Sequence, residues 1–134
     1  MEEVNLAHVL ICNNRYEVIA GLHKSRNDLT LPGGKVEEYE SFTDAAKRET
    51  KEETGIILNS LEILLYEARI PKEDKIFNVK TFFATTDKKP RNLLKDEHGF
   101  MKFLPYETLF KYPRAFYIEQ PIIDFYNINN VSNF

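Results

Sequence analysis

Apolar positions follow two periods along this chain. Residues 4 to 12 are apolar on both faces, with Leu6, His8, Leu10 and Cys12 on one side and Ala7, Val9 and Ile11 on the other. A short run apolar on both sides predicts a strand covered on both faces. Asn13-Asn14 supplies a tight turn and Tyr16 to Leu22 a second strand, so the simplest start is a hairpin. The polar stretch 23 to 30 reads as a loop before a short strand at Leu29 to Leu31. Pro32 blocks continuation of that strand, and Gly33-Gly34 marks a turn whose backbone can come close to a ligand. Further on, Ser60 to Arg69 and Lys75 to Thr85 read as an antiparallel pair around the turn-like Pro71-Lys72-Glu73-Asp74. Phe100 to Leu104 predicts another strand, and Pro105 opens a helical turn through Lys111.

The helical period appears twice. Ser41 is placed to cap a helix, with Asp44 at its third position in a capping-box-like arrangement, and Gly55 fits the C-terminal cap. At about 100° per residue, Phe42, Ala45, Ala46, Glu49 and Glu53 share one sector with Glu52 at its edge, while Asp44, Lys47 and Lys51 lie opposite. A closing helix is expected over Arg114 to Asn127, with Phe116, Ile118, Ile122, Ile123, Phe125 and Tyr126 as its apolar positions. Pro121 lies inside that pattern and should start or kink a segment there.

Charge changes the picture of the first helix. Its inward face begins apolar and ends in carboxylates. Glu49 is followed by Glu52 at i+3 and by Glu53 at i+4, spacings at which like charges each cost about 0.2–0.5 kcal/mol. Glu52 and Glu53 also crowd the negative end of the helix dipole, at about 0.3–1 kcal/mol. Such a helix can be an ordinary solvated acidic face, but Phe42, Ala45 and Ala46 on the same sector argue against that. A hard divalent cation bound by the carboxylate oxygens would remove the repulsion.

Residues 31 to 56, LPGGKVEEYESFTDAAKRETKEETGI, carry a specific pattern: Gly34, five residues, Glu40, seven residues, Arg48-Glu49, then Glu52-Glu53, Gly55 and Ile56. This resembles the Nudix box of nucleoside-diphosphate-X hydrolases. Thr50 stands where that family usually has an aliphatic residue, and Tyr39 where many members have a second loop glycine. The resemblance implies an α/β fold, a Nudix-like α/β/α sandwich with a mixed β-sheet. It implies a Mg²⁺ cofactor, with Mn²⁺ as the alternative, held by Glu49, Glu52 and Glu53 together with the Gly33 carbonyl. It also implies that Glu52 or Glu49 serves as general base, with Glu97 in a downstream loop as the other candidate and a solvated loop carboxylate as its plainer reading. Arg48 would orient a box glutamate, while Gly34, Glu40 and Gly55 would shape the motif. Of the remaining candidates for substrate contact, Gly34 and Lys35 lie in the motif, and Arg26 and His8 lie outside it. His8 is more simply a buried strand histidine, and Arg26 a solvated loop charge.

Composition adds limits. One domain over residues 1–134 is the expectation, with 43% hydrophobic and 13% aromatic residues to fill its core and no tryptophan. A net charge of −3 argues against non-specific nucleic-acid binding. Cys12 is the single cysteine, which excludes an internal disulfide and fits a reducing, cytoplasmic setting. No run approaches the ~18 apolar residues of a membrane span. The resemblance implies a small nucleotide as partner; oligomeric state is not legible.

For the substrate, LPGGKVE resembles the family's nucleoside-triphosphate hydrolases more than its ADP-ribose hydrolases. An NTP or dNTP, oxidised ones included, giving NMP and pyrophosphate is preferred. ADP-ribose or a dinucleoside polyphosphate is the alternative, and a nucleotide-binding sensor without turnover is the alternative of a different class. Tyr66, Phe77, Phe82 and Phe83 are either base-stacking residues or, more simply, core.

Overall fold

A computed structural model describes residues 1–23, 25–91 and 101–129. Its strands are β1 (Glu2–Cys12), β2 (Val18–Leu22), β3 (Leu29–Thr30), β4 (Gly33–Lys35), β5 (Ile63–Lys72), β6 (Lys75–Thr85) and β7 (Lys102–Leu104). The helices are α1 (Phe42–Thr54), α2 (Tyr106–Leu109) and α3 (Glu119–Ile128). Strand order is β3-β2-β1-β6-β5, with β4 added to β1 and β7 to β2. β1 runs parallel to β6 along its whole length, from Glu2 opposite Lys75 to Cys12 opposite Thr85, and the other pairings are antiparallel. The sheet is therefore mixed, as expected.

The two faces of β1 are both covered, which is why its sequence is apolar without alternation. On one face Ala7, Val9 and Ile11 pack with Ile19, Phe82 and the alanines Ala45 and Ala46 of α1. On the other, Val4, Leu6, Leu10 and Cys12 pack with Ile118 and with Ile122, Phe125 and Tyr126 on and beside α3. The result is a three-layer α/β/α sandwich. Alanines at the α1 contact let the helix lie close to the sheet, and Ile122 and Phe125, almost fully buried, each contribute about 1.5–3 kcal/mol.

Four expectations need correction. The opening hairpin is reduced to one register pair, Cys12 opposite Val18, because β2 spends its pairing on β3 and β7. Gly33-Gly34 is the start of a short strand as well as a turn: Gly33, Gly34 and Lys35 pair with His8, Ala7 and Leu6. The closing helix begins at Glu119, not Arg114, with Pro121 inside its first turn, where a missing N–H costs nothing. Phe116 and Tyr117 consequently lie in the preceding turn. The β5–β6 pair extends through Lys72 and Lys75, so that only Glu73 and Asp74, with Glu73 at φ 59°, make the turn.

Thr50, the departure from the aliphatic pattern, is fully buried in α1 and its hydroxyl has no hydrogen-bond partner among the described residues. An unpartnered buried hydroxyl costs about 1–3 kcal/mol. Thr50→Val is expected to raise stability by about 1 kcal/mol with turnover unchanged, read as a higher denaturant midpoint at constant slope. A lower midpoint would show that the hydroxyl is bonded after all.

Candidate active site

The local sequence builds α1 as anticipated. Ser41 adopts extended backbone and accepts a hydrogen bond from the Asp44 amide at 3.1 Å; Gly55, at φ 75°, closes the helix by donating to the Lys51 carbonyl. The Arg91 amide also donates to the Thr54 carbonyl at 2.6 Å, so the chain leaving β6 returns to the helix end.

The inward edge of α1 meets β4. Glu53 is 3% exposed, and its Oε1 accepts the Gly33 amide proton at 3.0 Å. Gly34 packs on the Glu49 carboxylate so closely that an added Cβ would lie 3.0 Å from its carbon. Glu49, with a side chain 15% exposed, also shares a hydrogen bond with Glu53. Burial, and then the Glu53 carboxylate beside it, push the Glu49 carboxyl from 4.5 up to about 8, against the opposing pull of Arg48. The two acids behave as one proton-sharing pair.

Arg48 organises the outer side. Its Nε and Nη2 donate to Glu40 at 2.6 and 2.9 Å, its Nη1 to Glu49 Oε1 at 2.9 Å and to Glu52 at 3.4 Å, and Nη2 also reaches the Lys35 carbonyl at 3.3 Å. The bidentate bond from Arg48 holds the Glu40 carboxyl below the usual carboxylate range. Glu40 Oε1 in turn accepts the Glu37 amide proton at 3.0 Å. One guanidinium thus fastens the 37–40 loop to the helix and orients two of the three glutamates.

The three glutamates grouped by sequence do not all converge. Glu52 is 44% exposed and directed toward Arg48. Among the described residues no three acidic, imidazole or thiol side chains come together tightly enough to hold an ion by themselves. The Glu49–Glu53 pair still fits a hard divalent cation: its donors are carboxylate oxygens in mutual contact, and a cation can replace the proton they share.

Glu49, Gly33, Gly34 and Lys35 lie at one end of a cleft of about 870 Å³, a volume usual for small-ligand sites. Leu6 and His8 of β1 form its floor. His8 is buried and stacks on Tyr117, ring centroids 4.6 Å apart. The Tyr117 hydroxyl accepts from Arg26 at 3.0 Å and bonds with Thr30 Oγ1 at 3.2 Å, while Arg26 also pairs with Asp28 at 3.2 Å. Burial raises the Tyr117 phenol above its ordinary range, so it stays protonated at neutral pH.

Of the sequence candidates, the structure brings Gly33, Gly34, Lys35, Glu49, Arg26 and His8 to this cleft. Arg26 is already neutralised by Asp28. Glu97 lies outside the described residues. Among the four aromatic candidates only Phe77 lines the cleft; Phe82 belongs to the core under α1, and Tyr66 and Phe83 to the core on the opposite face. The wall formed by Phe116, Tyr117 and Thr30 was missed. Phe116 and Tyr117 match the helical period of the segment that follows them, so nothing local distinguishes them; for Thr30 the only signal is a polar residue inside a short apolar strand.

A carboxylate-rich helix edge and a Gly-Gly strand at the mouth of a deep cleft are the features of an enzyme that cleaves phosphoanhydrides. The sequence profile of the NUDIX domain matches residues 3–125, and the chain belongs to that family. It is a pyrophosphohydrolase of the family, which generally uses a divalent metal and acts on small nucleotide substrates. The MutT protein from Methanosarcina mazei Go1 is similar in structure, with a TM-score of 0.80 at 20% identity over 96% of each chain. An Ap4A hydrolase from C. elegans, solved as a binary complex, gives a TM-score of 0.75 at 20% identity over 96% of this chain and 99% of that one. The NUDIX domain of Shewanella oneidensis NrtR, complexed with ADP ribose, gives 0.79 at 15% identity over 98% of this chain and 90% of that one. At these identities the likeness establishes the fold alone. No curated protein matches the sequence significantly. No described helix is long and apolar enough to cross a membrane.

Proposed function

We propose that this enzyme hydrolyses a nucleoside or deoxynucleoside triphosphate, oxidised ones included, to the monophosphate and pyrophosphate with Mg²⁺. The observation that carries the reading is the Glu49–Glu53 pair set against the Gly33–Gly34 strand at one end of a cleft whose far end is aromatic. Glu49 and Glu53 would hold the metal, with Glu52 and the Gly33 carbonyl as the further candidate ligands. The ion supplies charge neutralisation on the phosphate oxygens and a lowered pKa for bound water.

The chain's own residues do the remaining work. Lys35, exposed and with no carboxylate partner among the described residues, faces the phosphates from β4. Glu52 is the preferred proton acceptor, because its carboxylate is solvent-accessible and Arg48 holds it at 3.4 Å; Glu49 and Glu97 are the alternatives. Arg48 is a positioning residue, its charge spent on Glu40, Glu49 and Glu52 rather than on substrate. Glu40 locks Arg48, and Gly55 ends the helix so that Glu52 and Glu53 sit in its last turn.

The test is product identity from a panel of NTPs, dNTPs, ADP-ribose and dinucleoside polyphosphates with Mg²⁺. Pyrophosphate and monophosphate from the triphosphates, at higher kcat/KM than for the others, is the expected result. Preferred cleavage of ADP-ribose or of a dinucleoside polyphosphate would replace this substrate. Tight nucleotide binding without product from any of them would make the protein a sensor.

A further inference from the structure

Four cationic side chains of Lys or Arg line the cleft among the described residues: Arg26, Lys35, Lys72 and Arg114. Two are neutralised within the protein, Arg26 by Asp28 at 3.2 Å and Arg114 by Glu119 at 2.6 Å. Lys35 and Lys72 have no carboxylate partner among the described residues, and they stand at opposite ends. Lys35 is opposite Leu6 of β1, beside the glutamates; Lys72 is at the end of β5, opposite Lys75, which is itself opposite Glu2. Three strand spacings and four residues of rise separate the two backbones, about 19 Å in all. Less the inward reach of both side chains, that gap suits one nucleotide lying along the sheet, not two.

The ends differ in company. Lys35 has Gly34 and Glu49, a setting for phosphate. Lys72 has rings: its ammonium lies 4.9 Å from the centroid of Phe116, which is 39% exposed and braced edge-on by Phe77 and by Tyr117 at 5.1 Å each. Phosphate gains nothing from aromatic walls, whereas a nucleobase gains stacking area. An ammonium is a donor at all three hydrogens and accepts nothing. Held at purine position 6 or pyrimidine position 4, it bonds O6 of guanine or O4 of uracil and thymine, whereas adenine and cytosine place there an exocyclic amino group, a donor that the cation cannot bond.

Taking the triphosphate reading as its basis, we propose that Lys72, poised over Phe116, is a specificity-determining residue that selects oxo bases, guanine and uracil or thymine, over the amino bases adenine and cytosine. Lys72 approaches from the β5–β6 turn and Phe116 from the turn before α3, so the selectivity is built from two segments outside the glutamate motif.

Binding of GMP against AMP and of UMP against CMP, by calorimetry, tests this without requiring turnover. The wild type should bind the oxo member of each pair more tightly, and Lys72→Met, which keeps the apolar stem, should reduce that preference about tenfold, within the range for one charge-assisted contact to a base edge. Lys72→Arg should retain it. Equal affinities within each pair in the wild type, undetectable binding of all four, or an equal loss for all four in Lys72→Met would overturn the proposal. Hydrolysis of the four triphosphates is measured in parallel. An intact base preference with no turnover of any of them would fail the substrate reading and leave the selectivity of Lys72 standing.

Discussion

Glu53→Gln is expected to lower kcat by more than about a hundredfold while the protein stays folded. Disturbing even an outer partner of a metal ligand costs about 10–100-fold, and Glu53 is placed to be a ligand itself. The glutamine keeps the fold because its amide oxygen still accepts the Gly33 proton, the bond by which Glu53 holds β4. Without metal, the variant should be the more stable protein at neutral pH. Glu49 has a folded pKa raised from 4.5 to about 8, so between those values the folded state holds a proton that the unfolded chain releases. Raising the pH through that window therefore favours unfolding. In chelator, wild-type Tm should fall from pH 5 to pH 8. Glu53→Gln removes the neighbouring charge and leaves only burial opposed by Arg48, so its decline should be shallower. Saturating Mg²⁺ should flatten the wild-type curve too, since the ion replaces the shared proton. Turnover within a few-fold of wild type, or parallel pH curves in chelator, would place the metal elsewhere.

What could be read from the sequence was what is local. Ser41, Asp44 and Gly55 bound α1 within a residue because caps depend on a few adjacent groups. The β5–β6 hairpin was legible for the same reason. The parallel pairing of β1 with β6 joins residues about seventy positions apart and leaves no periodic trace; only the two-sided apolarity of β1 hinted that both faces are covered. The site divides likewise. Gly33, Glu49 and Glu53 lie within one motif, where Glu53 contacts both of the others. The cleft's other wall is assembled by topology: Thr30 and Tyr117 are 87 residues apart, and Phe116 was absorbed into the apolar period of α3. Glu52 shows the limit within the motif itself. Spacing puts it on the helix edge, but only the folded chain shows its carboxylate turned to Arg48.

The two glycines of the motif should fail in different ways when a methyl group is added. At Gly33 the backbone has φ 148°, and a Cβ would strike the Ala7 carbonyl oxygen and both the backbone and the ring of His8. Those atoms belong to the β1 strand that pairs with β4, and a backbone that is hydrogen-bonded on both sides cannot yield cheaply. Strain at a positive φ alone costs about 1–3 kcal/mol. With the overlap added, Gly33→Ala should lose about 3 kcal/mol or more and lower Tm by roughly 10 °C. At Gly34 a Cβ meets only the end of the Glu49 side chain, 3.0 to 3.1 Å away. That carboxylate can swing aside with little effect on stability, but it then leaves Glu53 and the mouth of the cleft. Gly34→Ala should therefore keep a near-wild-type Tm and lose most of its activity. Thermal unfolding and initial rates on the same two preparations separate these outcomes. Equal destabilisation by both substitutions would show that β4 depends on either glycine for folding alone. A stable, active Gly33→Ala protein would mean that this strand does not hold Glu53 in place.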